Sequence, residues 1–330
     1  MSGVGGYGGA RVLVTGGLGF IGSTLAIELV RSGAQVIVLD ALIPQHGGQL
    51  YNVAPVRDRI TVELADMRDA QALSRCVRGV DFVFHLAGQV SHGDSMRDPH
   101  LDLAVNCVST MNLVESCRQH NPSARLLYTS TRQVYGKPRS LPVTEAHPTL
   151  PIDVNGINKL AAEYYHVLYD RTYGVRSVVL RLTNTYGPRQ HIQSDRQGFI
   201  GILIRRALRG EALQLFGTGE QVRDFNYVDD VVAAILCAAQ TPECYGQVWN
   251  LGAPRHHSLL EFAALLSELC NVSYTTVPFP DDRRIIDIGD YYGDYSAFAR
   301  ATGWHPRIDL PQGLASTIAS YREHKDHYWA

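Results

Sequence analysis

The stretch VLVTGGLGFIG, residues 12–22, constrains this chain more than any other. A short apolar run opens it, glycines follow at 16, 19 and 22, and a helical pattern, STLAIELVRSG, begins at once. The first glycine permits a tight turn, the second lets backbone approach a ligand, and the third lets the helix pack closely on the strand. That helix starts with unsatisfied N–H groups and a partial positive charge, which suit a phosphate. The next apolar run, QVIVLD, ends in Asp40, a carboxylate placed to accept from both hydroxyls of a ribose and to repel a 2′-phosphate. Turn, helix and acid together predict a dinucleotide site, with NAD preferred over NADP on the strength of Asp40.

The alternation continues. ITVELAD, VDFVFHLAG, ARLLYTST and VRSVVLRLTN read as buried strands, separated by helical patterns over AQALSRCVRG, 101–118 and 155–172. Strands alternating with helices predict an α/β fold, a doubly wound and mostly parallel sheet covered on both faces. After NTYGPRQ the elements shorten and loops lengthen. We therefore expect a dinucleotide-binding domain over 9–185 and a smaller α/β substrate lobe over 186–330, with a segment near 222–252 returning to the large domain. Residues 1–8 are too glycine-rich to justify ordering and are expected to form a loose tail.

Bulk properties exclude several classes. With 45% apolar residues, 19% charged residues and a net charge of −2, the chain suits a large globular body and gives no support to nucleic-acid binding. The six cysteines form no CxxC pair and read as reduced thiols of a cytoplasmic protein, so no metal site is expected. No membrane span or signal peptide is expected either.

The chain resembles the extended short-chain dehydrogenase/reductase family, specifically its NAD-dependent sugar-nucleotide epimerases, dehydratases and decarboxylases. The resemblance runs from about residue 10 to 325 and rests on TGGLGFIG, Asp40, HLAG, TSTRQVYG, Asn155 to Lys159 before LAAE, RLTNTYGPR, VRDFNYVDD, NLG and the Arg284–Ile288 stretch. It implies a Rossmann domain holding NAD through Gly16, Gly19, Phe20, Ile21, Gly22, Asp40, Asp66, Met67, Leu86, Ala87, Gly88 and Lys159. Asp66 serves equally well as a cap for the turn that follows it. His85 reads as a structural histidine.

In that family a tyrosinate takes the hydroxyl proton of the sugar, a lysine one helical turn on lowers its pKa, and a serine or threonine orients the alcohol. The resemblance assigns Thr131 and Lys159 to the last two roles, but places Asn155 at the tyrosine position. An amide has no basic form near neutral pH. Three readings stay open: another base, such as ordered water or His191; a substrate already oxidised or unusually acidic; or a scaffold that binds without turnover. A second departure is Arg132-Gln133, where dehydratases carry Asp-Glu and decarboxylases Ser-Glu, which argues against dehydration. Arg132 either binds a substrate carboxylate or faces water.

The resemblance further implies that Asn184, Arg223, Arg284 and Asp287 grip a nucleotide-diphosphate sugar, UDP- or dTDP-linked, with Gln133, Gln190 and His191 near the sugar. The activity it implies is 4-epimerisation through a transient 4-keto sugar. The alternatives are an NDP-uronate oxidase or decarboxylase and a catalytically impaired scaffold. It also implies a homodimer through helices near 101–118 and 154–171, although both apolar faces could equally be buried within one chain.

Overall fold

The computed structural model describes residues 6–43, 46–194 and 198–329. Six strands alternate with helices through the first half: β1 (Arg11–Thr15), β2 (Gln35–Asp40), β3 (Ile60–Leu64), β4 (Phe82–His85), β5 (Arg125–Thr131) and β6 (Ser177–Leu182). The helices are α1 (Phe20–Arg31), α2 (Ala70–Cys76), α3 (His92–Arg97), α4 (Pro99–Asp102), α5 (Ser109–His120) and α6 (Val154–Tyr173). Six further strands follow: β7 (Asn184–Tyr186), β8 (Leu213–Phe216), β9 (Val222–Tyr227), β10 (Val248–Asn250), β11 (His256–Ser258) and β12 (Tyr274–Val277).

The main sheet has seven parallel strands in the order β10-β6-β5-β4-β1-β2-β3. Its central strands are apolar on both faces because helices cover both. Val12, Leu13, Val14, Phe84, Leu126 and Leu127 are all fully buried. The order reverses between β1 and β4, and a doubly wound sheet opens its ligand crevice at such a reversal, beyond the carboxyl ends of the strands. β10 reaches the far edge of this sheet from late in the chain and pairs with β6.

The remaining strands make two small sheets, β11-β9-β7 and β12-β8. Helices α7 (Phe199–Leu208), α8 (Val228–Ala238) and α9 (Leu259–Cys270) accompany them. Around Phe225 and Phe262, α7, α9 and the helix Leu310–Glu323 enclose a second apolar core. α8 instead packs its Val231, Ala234 and Ile235 into the core of the large sheet, beside α1.

One expectation needs correction. Of the glycine-rich start, residues 1–5 lie outside the described residues, but Tyr7 is fully buried. Its ring lies 4.9 Å from that of Phe82, and its hydroxyl donates to Leu236 O at 2.8 Å. Burying a large aromatic with its hydroxyl satisfied offsets the entropy of ordering the flanking glycines. The helix expected over 101–118 is also more irregular than its spacing suggests. α4 and α5 are joined by a π-helical turn, Leu103–Val108.

Candidate active site

One cleft runs from the tip of β2 to the start of α6. At its floor Gly16 has a φ of 68°, and a Cβ there would stand 2.7 Å from Ala87 N. A Cβ on Gly22 would stand 2.1 Å from Gly16 O. Neither position tolerates a side chain, so turn and helix close on each other while α1 begins at the cleft. Its N-cap, Gly19, offers no side-chain acceptor, which leaves the N–H groups of the first turn for a ligand.

Asp40 ends β2 and lines the same cleft, one oxygen accepting from Leu18 N at 3.0 Å and the other from Leu42 N at 2.9 Å. Burial raises its pKa against these two bonds. Each oxygen keeps a lone pair for a ribose hydroxyl. Asp66 and Met67 line the same cleft, but the Asp66 carboxylate is paired with Arg68 at 2.7 Å, a bond that holds its pKa low. Phe20, Ile21, Leu86, Ala87 and Gly88 line the middle. These features, a side-chain-free turn, an open helix start and an acid at the second strand, fit the dinucleotide that the sequence implies. Next to them His85 is structural: its Nδ1 lies 2.8 Å from Thr15 Oγ1 and its Nε2 2.9 Å from Thr110 Oγ1, and burial holds its pKa far below the usual histidine range.

Thr131, Asn155 and Lys159 meet at the other end. Thr131 ends β5, its Oγ1 accepting from Gln133 N at 3.2 Å. Asn155 and Lys159 share one face of α6. The Lys159 ammonium donates to Thr129 O at 3.2 Å and lies 4.9 Å from the Tyr128 ring centre. Burial brings its pKa down to about 8, against the pull of Asp102 and Glu163.

Asn155 is 2% exposed, and its amide has a single possible orientation. Its Nδ2 donates to Gln89 O at 2.8 Å and to Asp102 Oδ2 at 3.2 Å, both obligate acceptors. The opposite flip would set two oxygens against its carbonyl, so the network assigns it. The Oδ1 that remains is an acceptor without a hydrogen-bond partner among the described residues. Asp102, fully buried, also accepts from Asn158 Nδ2 at 2.8 Å. Gln89 is pinned in turn by Asn106 on the π-helical turn, through bonds of 3.1 and 3.0 Å. The extra residue of that turn aims Asn106 at Gln89, a use of π-turns that recurs at functional sites.

Other expected contacts are distributed differently. Arg132 and Arg223 come together: Arg132 Nη2 donates to Asn184 Oδ1 at 3.0 Å, and Arg223 Nη2 lies 3.3 Å from Asp287 Oδ1. Arg132 Nη1 and Arg223 Nε are buried without a partner among the described residues. Burial and the neighbouring Arg132 bring Arg223 down to about 10. Burial pushes Asp224, beside them, up to about 7. Arg284 does not join this cluster; it is exposed and donates to Phe279 O. Gln133 is buried and spends its amide on Asp153 Oδ2 at 2.7 Å and Ile286 O at 3.2 Å, so it supports the site from behind. Gln190 lines the cleft, whereas His191 lies off it, half-buried, its pKa lowered by burial and Arg205. The sequence reading missed Gln89, His92, Asp102, Asn106 and Asp153.

A family model described as the NAD dependent epimerase/dehydratase family matches residues 12–252. The chain belongs to that family. It is an NAD-dependent, epimerase-like enzyme of the extended short-chain dehydrogenase/reductase type. It is 31% identical over 307 residues to a putative UDP-glucose 4-epimerase of Methanocaldococcus jannaschii, covering 93% of this chain and 97% of that one. To UDP-glucuronic acid decarboxylase 1 of Xenopus tropicalis it is 32% identical, covering 96% of this chain and 73% of that one. Among solved structures, the UDP-glucose 4-epimerase of Thermotoga maritima with UDP-glucose superposes with a TM-score of 0.87 at 32% identity, covering 96% of this chain and 99% of that one. The dTDP-glucose 4,6-dehydratase of Streptomyces venezuelae, with NAD bound, gives 0.87 at 29% identity, covering 96% and 98%. No helix among the described residues is long and apolar enough to cross a membrane.

Proposed function

We propose that this epimerase-family enzyme oxidises and re-reduces a secondary hydroxyl of a nucleotide-diphosphate sugar, UDP- or dTDP-linked, and so inverts its C4 configuration. One observation carries this reading: Thr131, Asn155 and Lys159 meet at one end of the cleft whose other end carries the glycine turn and Asp40. NAD, when bound, supplies the hydride acceptor and donor. Lys159 has two ammonium protons beyond its bond to Thr129 O, enough to hold the hydroxyls of a ribose. Thr131 offers its hydroxyl proton to a sugar oxygen, and Asn155 offers Oδ1 to a sugar O–H. An amide acceptor can orient that O–H without taking its proton, so Asn155 is a positioning group.

The diphosphate falls to Arg132 and Arg223, whose unpartnered N–H groups are buried side by side. Burying a donor without an acceptor is costly, and a diphosphate oxygen repays that cost. A second reading, an NDP-uronate substrate, is supported by the same Arg132 Nη1, which can take a sugar carboxylate. The test is direct. NAD-loaded enzyme is mixed with UDP-glucose, dTDP-glucose or UDP-glucuronate while reduced nicotinamide absorbance and the C4 proton coupling are followed. Transient reduction with exchange of C4 configuration is expected; lasting reduction points to the uronate reading, and binding without either change overturns catalysis.

We also infer a homodimer. Ile157, Tyr164 and Leu168 stand 54%, 64% and 51% exposed along one side of α6, with Leu101, Leu103 and Val108 exposed on the neighbouring helical segment. So much apolar surface on two adjacent helices suits the face of a second copy.

A further inference from the structure

The family's proton acceptor is missing at position 155, and a second group enters the same end of the cleft from another element. His92, the first residue of α3, lines the cleft together with Thr131, Asn155 and Lys159. Its Nδ1 is buried 3.0 Å from Asp153 Oδ2, while its side chain as a whole is 37% exposed. The two atoms lie within ion-pair distance, although the contact falls short of hydrogen-bond geometry. The exposed edge of the ring carries Nε2, which has no hydrogen bond to any described residue.

Asp153 is built to orient that ring. It is 2% exposed and caps the N-terminus of α6, two residues before Asn155. Its Oδ1 accepts from Gly156 N at 2.6 Å, and its Oδ2 accepts from Gln133 Nε2 at 2.7 Å. Burial pushes its pKa up, but His92, Gly156 and Gln133 together hold it below the usual carboxylate value. A fixed carboxylate facing Nδ1 selects the tautomer with its proton there and leaves the Nε2 lone pair unused by the protein, on a residue that lines the cleft. A histidine kept only for packing or capping would spend both nitrogens on the protein, as His85 does.

We propose that His92, oriented by Asp153, is the proton acceptor for the sugar hydroxyl, the role Asn155 cannot fill. This rests on the sugar-nucleotide reading above. The hydroxyl O–H bond breaks and its proton bonds to Nε2, giving an imidazolium paired with Asp153. The electron pair of that O–H forms the carbonyl π bond as the carbon's hydrogen leaves with its own pair to oxidised nicotinamide. Re-reduction returns the hydride to carbon and the proton from Nε2 to oxygen. Thr131 Oγ1 holds the substrate oxygen meanwhile by donating its own O–H, and Asn155 Oδ1 accepts from a neighbouring sugar hydroxyl, so three elements share what one tyrosine does elsewhere in the family.

The test uses NAD-loaded enzyme with UDP-glucose, dTDP-glucose and UDP-glucuronate as probes. His92→Gln is expected to slow substrate-dependent nicotinamide reduction by ~10² to 10⁴, the usual worth of a general base. Its affinities for NAD and UDP should stay within about twofold, which also verifies the fold. In His92→Ala, added imidazole should restore about tenfold or more of the lost rate, a rescue that a structural role would not give. Imidazole nitrogen NMR of the wild type should place the proton on Nδ1, and Asp153→Asn should mix the tautomers. A His92→Gln enzyme as fast as wild type, an unrescued His92→Ala, or an Nε2–H tautomer overturns His92 alone. A wild type silent toward all three probes overturns the sugar-nucleotide reading, and the proton-acceptor role with it.

Discussion

The side-chain amide of Asn155 donates to the buried carboxylate of Asp102 at 3.2 Å, and this bond fixes which amide atom α6 leaves unpaired. Both Nδ2 protons are committed, the second to Gln89 O, so only a carbonyl oxygen is left for the cleft. Asn155 is therefore embedded in a network that runs from Asn106 through Gln89 and Asn155 to Asp102 and Asn158. In such a network each member holds the next, and removal of one leaves buried acceptors unmet.

Asn155→Asp should show this directly. It replaces an N–H donor with an oxygen against the buried Asp102 carboxylate, and two ionised carboxylates cannot share that space. We expect a loss of ~3 kcal/mol at neutral pH, the usual cost of an uncompensated buried charge. The deficit should shrink in mild acid, as one proton joins the pair. Urea unfolding of both proteins across this range checks it; a deficit independent of pH contradicts the pairing.

Arg223→Met should act on the nucleotide and spare the dinucleotide. The guanidinium is buried beside Arg132 and has a donor without a partner, so the free protein already bears the cost of keeping it there. Losing one charge-assisted bond of about 1.5 to 3 kcal/mol should weaken UDP binding ~10- to 100-fold. NAD affinity should be unchanged by calorimetry. Equal weakening of both ligands would place Arg223 in a structural role.

Two buried neutral histidines predict the acid limb of stability. Burial holds His166 down to about 3 and His85 well below the ordinary 6.5. The unfolded chain takes up both protons near pH 6.5 while the folded one does not, so the stability present above that pH is lost as pH falls toward the folded values. Each group removes ~1.4 kcal/mol per pH unit within that window. Unfolding midpoints between pH 7 and about 4 should fall with this slope, and His166→Gln should roughly halve the two-histidine contribution.

The glycine turn, Asp40 and the spacing of Asn155 and Lys159 were legible in the sequence because local geometry dictates each of them. A turn needs its glycines, the end of a strand is marked where its apolar run meets an acid, and residues four apart on a helix share a face. Partners distant along the chain were not legible. Asp102 meets Asn155 across 53 positions, and no periodicity announces it. His92 and Asp153 join α3 to the cap of α6 in the same way. Tyr7 was missed because its burial depends on Leu236 O and the face of Phe82, both supplied by the folded sheet. Arg284 shows the converse: its motif resembles the family's, yet its side chain turns to Phe279 O and leaves Arg132 beside Arg223.

The apolar side of α6 gives the last prediction. Tyr164 and Leu168 are exposed at neighbouring turns of one helix, and with Ala161, Tyr165, Val167 and Arg171 they line a shallow depression. If this face meets its own copy, a charge introduced at the centre appears twice across a two-fold axis and repels itself. Leu168→Glu should therefore convert a dimer to monomers by light scattering, while NAD affinity, which we assign to the cleft that Leu168 does not line, changes little. Removing Leu168 from an exposed position costs the folded monomer less than ~0.5 kcal/mol, so thermal melting at low concentration should hardly move. A wild type that is already monomeric, or a mutant that remains dimeric, would show that this surface does not join subunits.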